Sequence, residues 1–232
     1  IGKSTLLLQL LGAAAKTGLR GLYVSGEESA AQVRGRADRL LAVHPDVWLV
    51  AETLLPHIVG HLDEIKPDLV VIDSVQTLHD PVLASAPGSV AQVRECAHTL
   101  VQHAKRAGTA VLLVGHVTKE GTLAGPRVLE HVVDTVLEFD GDRHHGLRVL
   151  RASKHRFGPT NEVGLLQMDG SGLTPVDDPS GLFLSDRVTG VSGSAIVPTV
   201  DGNRPLLIEV QALVAQSQLT NPRRSAQGID QG

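Results

Sequence analysis

The sequence opens with Ile1-Gly2-Lys3-Ser4-Thr5 and runs directly into the apolar stretch Leu6-Leu7-Leu8. Glycine, lysine and a hydroxyl at the head of a helix make up the back half of a phosphate-binding loop. Glycine keeps a Cβ out of the way, so backbone N–H groups can close around phosphate oxygens. Lysine carries a point charge to a terminal phosphate, and the serine hydroxyl is a hard oxygen ligand suited to Mg²⁺. The helix behind aims its positive end at the same anion. Gly2, Lys3, Ser4 and Thr5 are therefore the candidate phosphate-binding residues. Alone, they also fit a glycine-started helix with an exposed lysine. The first glycine of a G-x-x-x-x-G-K-[ST] pattern would stand before Ile1. The terminal stretch Arg223-Arg224-Ser225-Ala226-Gln227-Gly228 is loop-like, and the sequence reads as a fragment.

Further residues could complete such a site. Asp73 ends the apolar run Leu69-Val70-Val71-Ile72. A carboxylate there could hold Mg²⁺ beside Ser4, although an aspartate at that place also suits a turn or a helix cap. Glu27 follows Tyr23-Val24 and could polarise an attacking water. Its neighbour Glu28 stands three residues after Ser25, in the pattern of a capping box, which gives Glu28 a structural part. His116 follows the apolar run Thr109–Val114. It could sense a terminal phosphate and pass the signal to the Thr118–Arg127 loop, or be an ordinary surface histidine. Lys154 and Arg156 lie in a locally basic stretch with Arg143, Arg148 and Arg151, which faces either a polyanion or solvent.

The elements that position these residues follow from periodicity. Leu6, Leu7, Leu10, Leu11 and Ala14 predict a helix from Ser4 to about Lys16, ended by Gly18. Buried strands are expected at 21–24, 47–50, 67–74 and 109–114; between them, Ser25-Gly26-Glu27-Glu28-Ser29 opens a helix to about Leu41, and further helices cover about 53–65 and 90–107. Val90, Val93, Ala97, Leu100, Val101 and Ala104 would form the apolar face of the last helix. A continuous apolar run such as 69–72 suits a central parallel strand covered on both faces. The texture then changes to strands at 135–139, 147–152 and 163–168 joined by Gly- and Asp-rich turns, and to a further pair at 195–200 and 206–213. This is an α/β fold with a mainly parallel central sheet and antiparallel hairpins at its edge. A domain boundary falls near residue 185, giving parts 1–184 and 185–232.

Composition narrows the classes. Hydrophobic residues make up 42% of the 232, enough for a core, but aromatics are only 2%, so the core must be aliphatic. A single cysteine, Cys96, excludes an intrachain disulfide or a four-cysteine zinc site and suits a cytoplasmic protein. No apolar run approaches the roughly 18 residues of a membrane span. A net charge of −4 leaves nucleic-acid contact to a local basic cluster.

Longer motifs point to a family. The chain resembles the RadA/Sms family of bacterial, RecA-related DNA-repair ATPases along its whole length. The resemblance rests on Gly2–Thr5, on Tyr23-Val24-Ser25-Gly26-Glu27-Glu28-Ser29, and on Asp68 through Thr77. It continues in Pro87 through Glu95, Gly115-His116-Val117-Thr118-Lys119-Glu120-Gly121, Pro126 through His131 and Lys154-His155-Arg156-Phe157-Gly158. It implies a RecA-like P-loop NTPase core binding ATP and Mg²⁺ between subunits of a homo-hexameric ring, as in DnaB-type helicases. It also implies action on single-stranded and branched DNA in homologous recombination, by branch migration or unwinding, with recombinase and replicative-helicase partners. On it, Lys3 and Ser4 hold phosphate and Mg²⁺, Asp73 is the second metal-binding group, Glu27 activates water and His116 senses phosphate. Lys154 and Arg156 reach a neighbouring subunit's nucleotide. His155 stands where the family carries asparagine. From about Gly181 the sequence resembles the start of the family's Lon-protease-like domain, here incomplete. The family's N-terminal four-cysteine zinc finger is not among these 232 residues. Two other readings are a nucleotide switch of the KaiC type without DNA translocation, and a non-catalytic fragment with an incomplete nucleotide site.

Overall fold

The computed structural model describes residues 2–116, 128–141, 146–185, 187–216, 218, 221 and 223–229. Ile1, the Thr118–Arg127 loop and the turn holding Asp142 and Arg143 lie outside the described residues. The chain divides into two compact units, 1–176 and 177–232.

In the first unit, β1 (Gly21–Ser25), β2 (Val47–Ala51), β3 (Leu69–Asp73) and β4 (Ala110–Leu113) form a parallel sheet in the order β2-β1-β3-β4. All of β1, and β3 apart from Leu69, is buried, as continuous apolar runs require. Successive side chains alternate between two faces. On one face Tyr23 and Val71 pack with Leu8 and Leu11 of α1 (Lys3–Lys16) and with Val33 and Ala37 of α2 (Ala30–Arg39). On the other, Leu22, Val24, Val70 and Ile72 pack with Ile58 and Leu62 of α3 (Leu55–Ile65) and with Cys96 and Leu100 of α4 (Val90–Ala107). Each such aliphatic side chain contributes about 1.5–3 kcal/mol when fully buried.

The helix ends show which local signals govern. In α4 the Ser89 hydroxyl accepts from the Gln92 N–H at 3.4 Å, and Gly108 closes the helix in the left-handed region at φ 72°. Its buried face is turned slightly from the one expected: Val90 is 47% exposed, while Gln92 is 1% exposed. The buried Gln92 amide donates to the carbonyls of Asp80 (3.1 Å) and Ser85 (2.9 Å) and accepts from Asp80 N–H (2.8 Å), pinning the loop ahead of the helix. At α2 the capping box belongs to Ser29 and Gln32, not to Ser25 and Glu28. Ser25 is the last residue of β1, where Gly26 N–H donates to the Asp73 carbonyl at 2.8 Å, so the chain is still extended there and cannot open a helix.

A second sheet of the same unit is antiparallel, in the order β5 (Thr135–Gly141), β6 (Leu147–His155), β7 (Val163–Asp169), β8 (Gly172–Pro175). The short β8 is absent from the sequence reading. Its outer edge meets the Gln9 amide of α1, which accepts from Leu173 N–H at 2.9 Å and donates to Leu173 carbonyl at 3.1 Å.

The second unit contains α5 (Pro179–Leu184) and the antiparallel pair β9 (Ser194–Asp201) and β10 (Arg204–Gln211), joined through Gly202-Asn203. Within this unit α5 is tied to β10: Leu207 N–H donates to the Ser180 hydroxyl at 3.1 Å. Among the described residues, no helix is long and apolar enough to cross a membrane.

Candidate functional site

The carboxyl ends of parallel strands, where one strand's connection leaves for a helix, are where α/β sheets collect ligand-binding groups. β1 delivers Glu27 there, β3 delivers Asp73, and β4 leads to Gly115 and His116. The start of α1 reaches the same place. Lys3 Nζ donates to the Gly115 carbonyl at 2.6 Å. Ser4 Oγ donates to Asp73 Oδ2 at 2.7 Å. Glu27 Oε1 accepts from Ser74 Oγ at 2.6 Å and lies 3.5 Å from His116 Nε2. Lys3, Ser4, Asp73, Glu27 and His116, from four separate places in the sequence, are thus linked, directly or through Ser74 and Gly115, around the ends of β3 and β4.

Burial sorts these groups. Asp73 is 7% exposed, whereas about half of each of the Glu27 and His116 side chains meets solvent. A buried carboxylate needs donors, and Asp73 Oδ2 has a second one in Tyr23, whose hydroxyl lies 2.5 Å away. Burial first, and the hydrogen bond to Asp73 second, push the Tyr23 phenol far above its ordinary pKa, so it keeps its proton and donates. Nearby, Arg36 of α2 grips both Glu28 oxygens at 2.7 and 2.6 Å. That hydrogen bonding raises the already high pKa of the guanidinium. Glu28 is structural, as the sequence suggests, but through Arg36 and not through a capping box. Tyr23, Ser74 and Arg36 were not singled out as functional from sequence. Ser74 is visible only as a polar residue directly after Asp73, and Tyr23 reads as core.

Around Gly2 the backbone is in the left-handed region (φ 111°), and α1 has no side-chain cap. That φ favours glycine, and a Cβ there would also press on the flexible end of Met168 at 2.6 Å and on Phe139 Cε1 at 3.2 Å. Beside it lies a cavity of about 260 Å³ lined by Gly2, Ser4, Thr5, Arg36 and Met168. A larger open groove of about 370 Å³ between α3 and α4 is lined by Val59, Asp63, His103, Arg106 and Ala107, and contains none of the residues above.

Lys154 and Arg156 are engaged elsewhere. Lys154 Nζ donates to the carbonyls of Glu130 and Val133, the latter at 2.8 Å. Arg156 pairs with Asp134 at 2.8 Å. Both therefore brace the turn before β5 and make no hydrogen bond to the five-residue group. The His155 ring bonds Thr135 Oγ1 at 2.9 Å and fills the space over Gly158, where a Cβ would come within 2.7 Å of it.

Residues 1–122 match the model of the AAA domain. The chain belongs to this AAA domain family. The matched segment carries every residue of the group just described. Over 99% of its length the chain is 51% identical to the DNA repair protein RadA of Halalkalibacterium halodurans, 50% identical to that of Bacillus subtilis and 51% identical to that of Streptococcus pneumoniae. The RadA resemblance read from the motifs holds at this level, and so does the RecA-like α/β core. The chain spans about half the length of these relatives, between 50% and 54%.

Proposed function

We propose that this chain is the nucleotide-hydrolysing core of a DNA-repair ATPase. The observation that carries the reading is the meeting of Lys3, Ser4, Asp73, Glu27 and His116 at the carboxyl ends of the parallel strands. The donor set suits a magnesium–nucleotide complex: an ammonium, a hydroxyl and a buried carboxylate, all hard groups, beside an uncapped helix start with glycine at its head. Ser4 and Asp73 would hold Mg²⁺, and Gly2, Lys3 and Thr5 would hold the phosphates of ATP. When bound, Mg²⁺ supplies charge neutralisation across the terminal phosphates. Glu27, half exposed and oriented by Ser74, is placed to accept a proton from water. His116, on the same carboxylate, connects this site to the chain after β4.

The named relatives support DNA repair as the setting, and the ring, the single-stranded or branched DNA substrate and the branch-migration activity are part of this proposal. So are recombinase or helicase partners and the assignment of residues 177–232 to the start of a Lon-like domain. Lys154 and Arg156 would act on a neighbouring subunit's nucleotide. Their bonds to the 130–134 segment make their position stiff, which a group acting in trans requires. In the full-length protein, Lys3→Ala is expected to abolish nucleotide binding by equilibrium titration. Lys154→Ala should leave binding intact while removing stimulation of ATP hydrolysis by single-stranded DNA. Retained binding in Lys3→Ala would overturn the phosphate assignment. Hydrolysis that never responds to DNA would favour a nucleotide switch instead.

A further inference from the structure

We infer that Tyr23 is a positioning residue for the metal-binding carboxylate of Asp73, and that it sets the Mg²⁺ affinity of the site. The inference rests on the reading above and extends it to a residue deep in the core.

Tyr23 lies in the middle of β1, opposite Val71 of β3, while Asp73 sits two residues further along β3. Both side chains therefore point to the face covered by α1. The Tyr23 ring is 1% exposed and is held among Leu8, Leu11, Val33 and Ala37. Phenylalanine would serve that packing equally well. The hydroxyl must be explained separately, and its partner is Asp73 Oδ2 at 2.5 Å. The same oxygen accepts from Ser4 Oγ at 2.7 Å.

These two donors differ in kind. Ser4 sits at the start of α1 on a short side chain and is itself the other proposed metal ligand. Tyr23 is anchored from below by the core. The terminal torsion of an aspartate is broad and weakly restrained. A carboxylate that must present one oxygen to a small ion with strict octahedral demands gains from a fixed outer partner. The phenol supplies this, while Arg36, locked onto Glu28, limits movement of α2 above it.

The test is Tyr23→Phe in the full-length protein, with binding of a fluorescent ATP analogue followed as Mg²⁺ is titrated, and again in chelator. Loss of an outer-shell partner of a metal ligand typically lowers metal affinity by 10–100-fold. The expected result is a half-saturating Mg²⁺ concentration raised about tenfold, with metal-free nucleotide affinity unchanged. Leu11→Val, which loosens the same cluster without touching the hydroxyl, should leave the Mg²⁺ dependence as in wild type. Three results overturn the inference: an unchanged Mg²⁺ dependence in Tyr23→Phe, equal weakening with and without metal, or the same shift in Leu11→Val. A wild-type protein that binds nucleotide without any response to Mg²⁺ removes this inference and the metal assignment together. In that case the phosphate assignment of Lys3 stands.

Discussion

Glu27 gains its meaning from a serine. With Ser74 bonded to one oxygen, the carboxylate is oriented but still half exposed, and can exchange a proton with water. Glu27→Gln is therefore expected to keep nucleotide affinity and to slow hydrolysis by about 10²–10⁴-fold in single-turnover measurements. A second carboxylate allows a test of stability. Glu52 accepts from the N–H groups of Thr53 and Leu54, at 2.8 and 3.0 Å, and from His57, and so ties down the loop that leads into α3. The Leu54 N–H first, and His57 next, lower its pKa to about 2. Because the folded value lies below the unfolded one, this stabilisation is present above about pH 4.5 and is lost as pH falls toward 2. Loss of such loop hydrogen bonding is worth about 1 kcal/mol, or roughly 2–4 °C in a domain of this size. Glu52→Gln should lower the melting temperature by that amount at pH 7, and the gap should close progressively as pH falls from about 4.5 toward 2. At this scale the charged residues and those proposed to bind phosphate stood out in the sequence, because their types are unusual in apolar surroundings. It concealed Tyr23 and Ser74, since an aromatic in a buried strand looks like any core residue until its hydroxyl has a partner.

Among the elements, the Gln9 contact with β8 ties α1 to the antiparallel sheet. The amide imitates a neighbouring strand, offering Leu173 one donor and one acceptor. Gly172 makes the approach possible: at φ 124°, a Cβ there would lie 2.8 Å from Leu40 Cδ2 and 2.9 Å from the Gln9 amide. Gly172→Ala should destabilise the chain by about 1–3 kcal/mol in denaturant titration, through strain and crowding together. Gln9→Leu, which leaves both Leu173 groups without their side-chain partner, should cost about the same. Legibility was uneven here. The bounds of α4 could be read because Ser89 and Gly108 punctuate both ends. The start of α2 was read too early because Ser25 with Glu28 satisfies the same pattern as Ser29 with Gln32, and only strand pairing decides between them. β8 escaped notice because Gly172-Leu173-Thr174-Pro175 has too few residues to display alternation, and its pairing depends on β7 and α1, which are distant in sequence.

Across the whole molecule, order should follow burial. β1 and β3 are enclosed by helices, whereas in the second unit Val200 is 67% exposed and Ile196 and Leu207 are each 41% exposed. A two-stranded pair is marginal without a covering layer. Hydrogen exchange should therefore protect the amides of 22–24 and 70–72 most strongly and those of 194–211 weakly, with protection in the first group tracking global unfolding. The parallel sheet was foreseeable at this scale from its uninterrupted apolar runs. The link between α5 and β10 was not, because Pro179–Leu184 carries too short a pattern to reveal which strand it packs against.

The parallel sheet also separates two cores. Tyr23, Val71 and α1, which carries Lys3 and Ser4, lie on one side, while Ile58, Leu62, Cys96 and Leu100 lie on the other. Repacking the far layer can therefore alter how firmly the protein is built while leaving the proposed reaction centre's first contacts untouched. Thermal tolerance and turnover are separate dials in this architecture, and thermostabilised variants are best sought behind the sheet, on the side of α3 and α4.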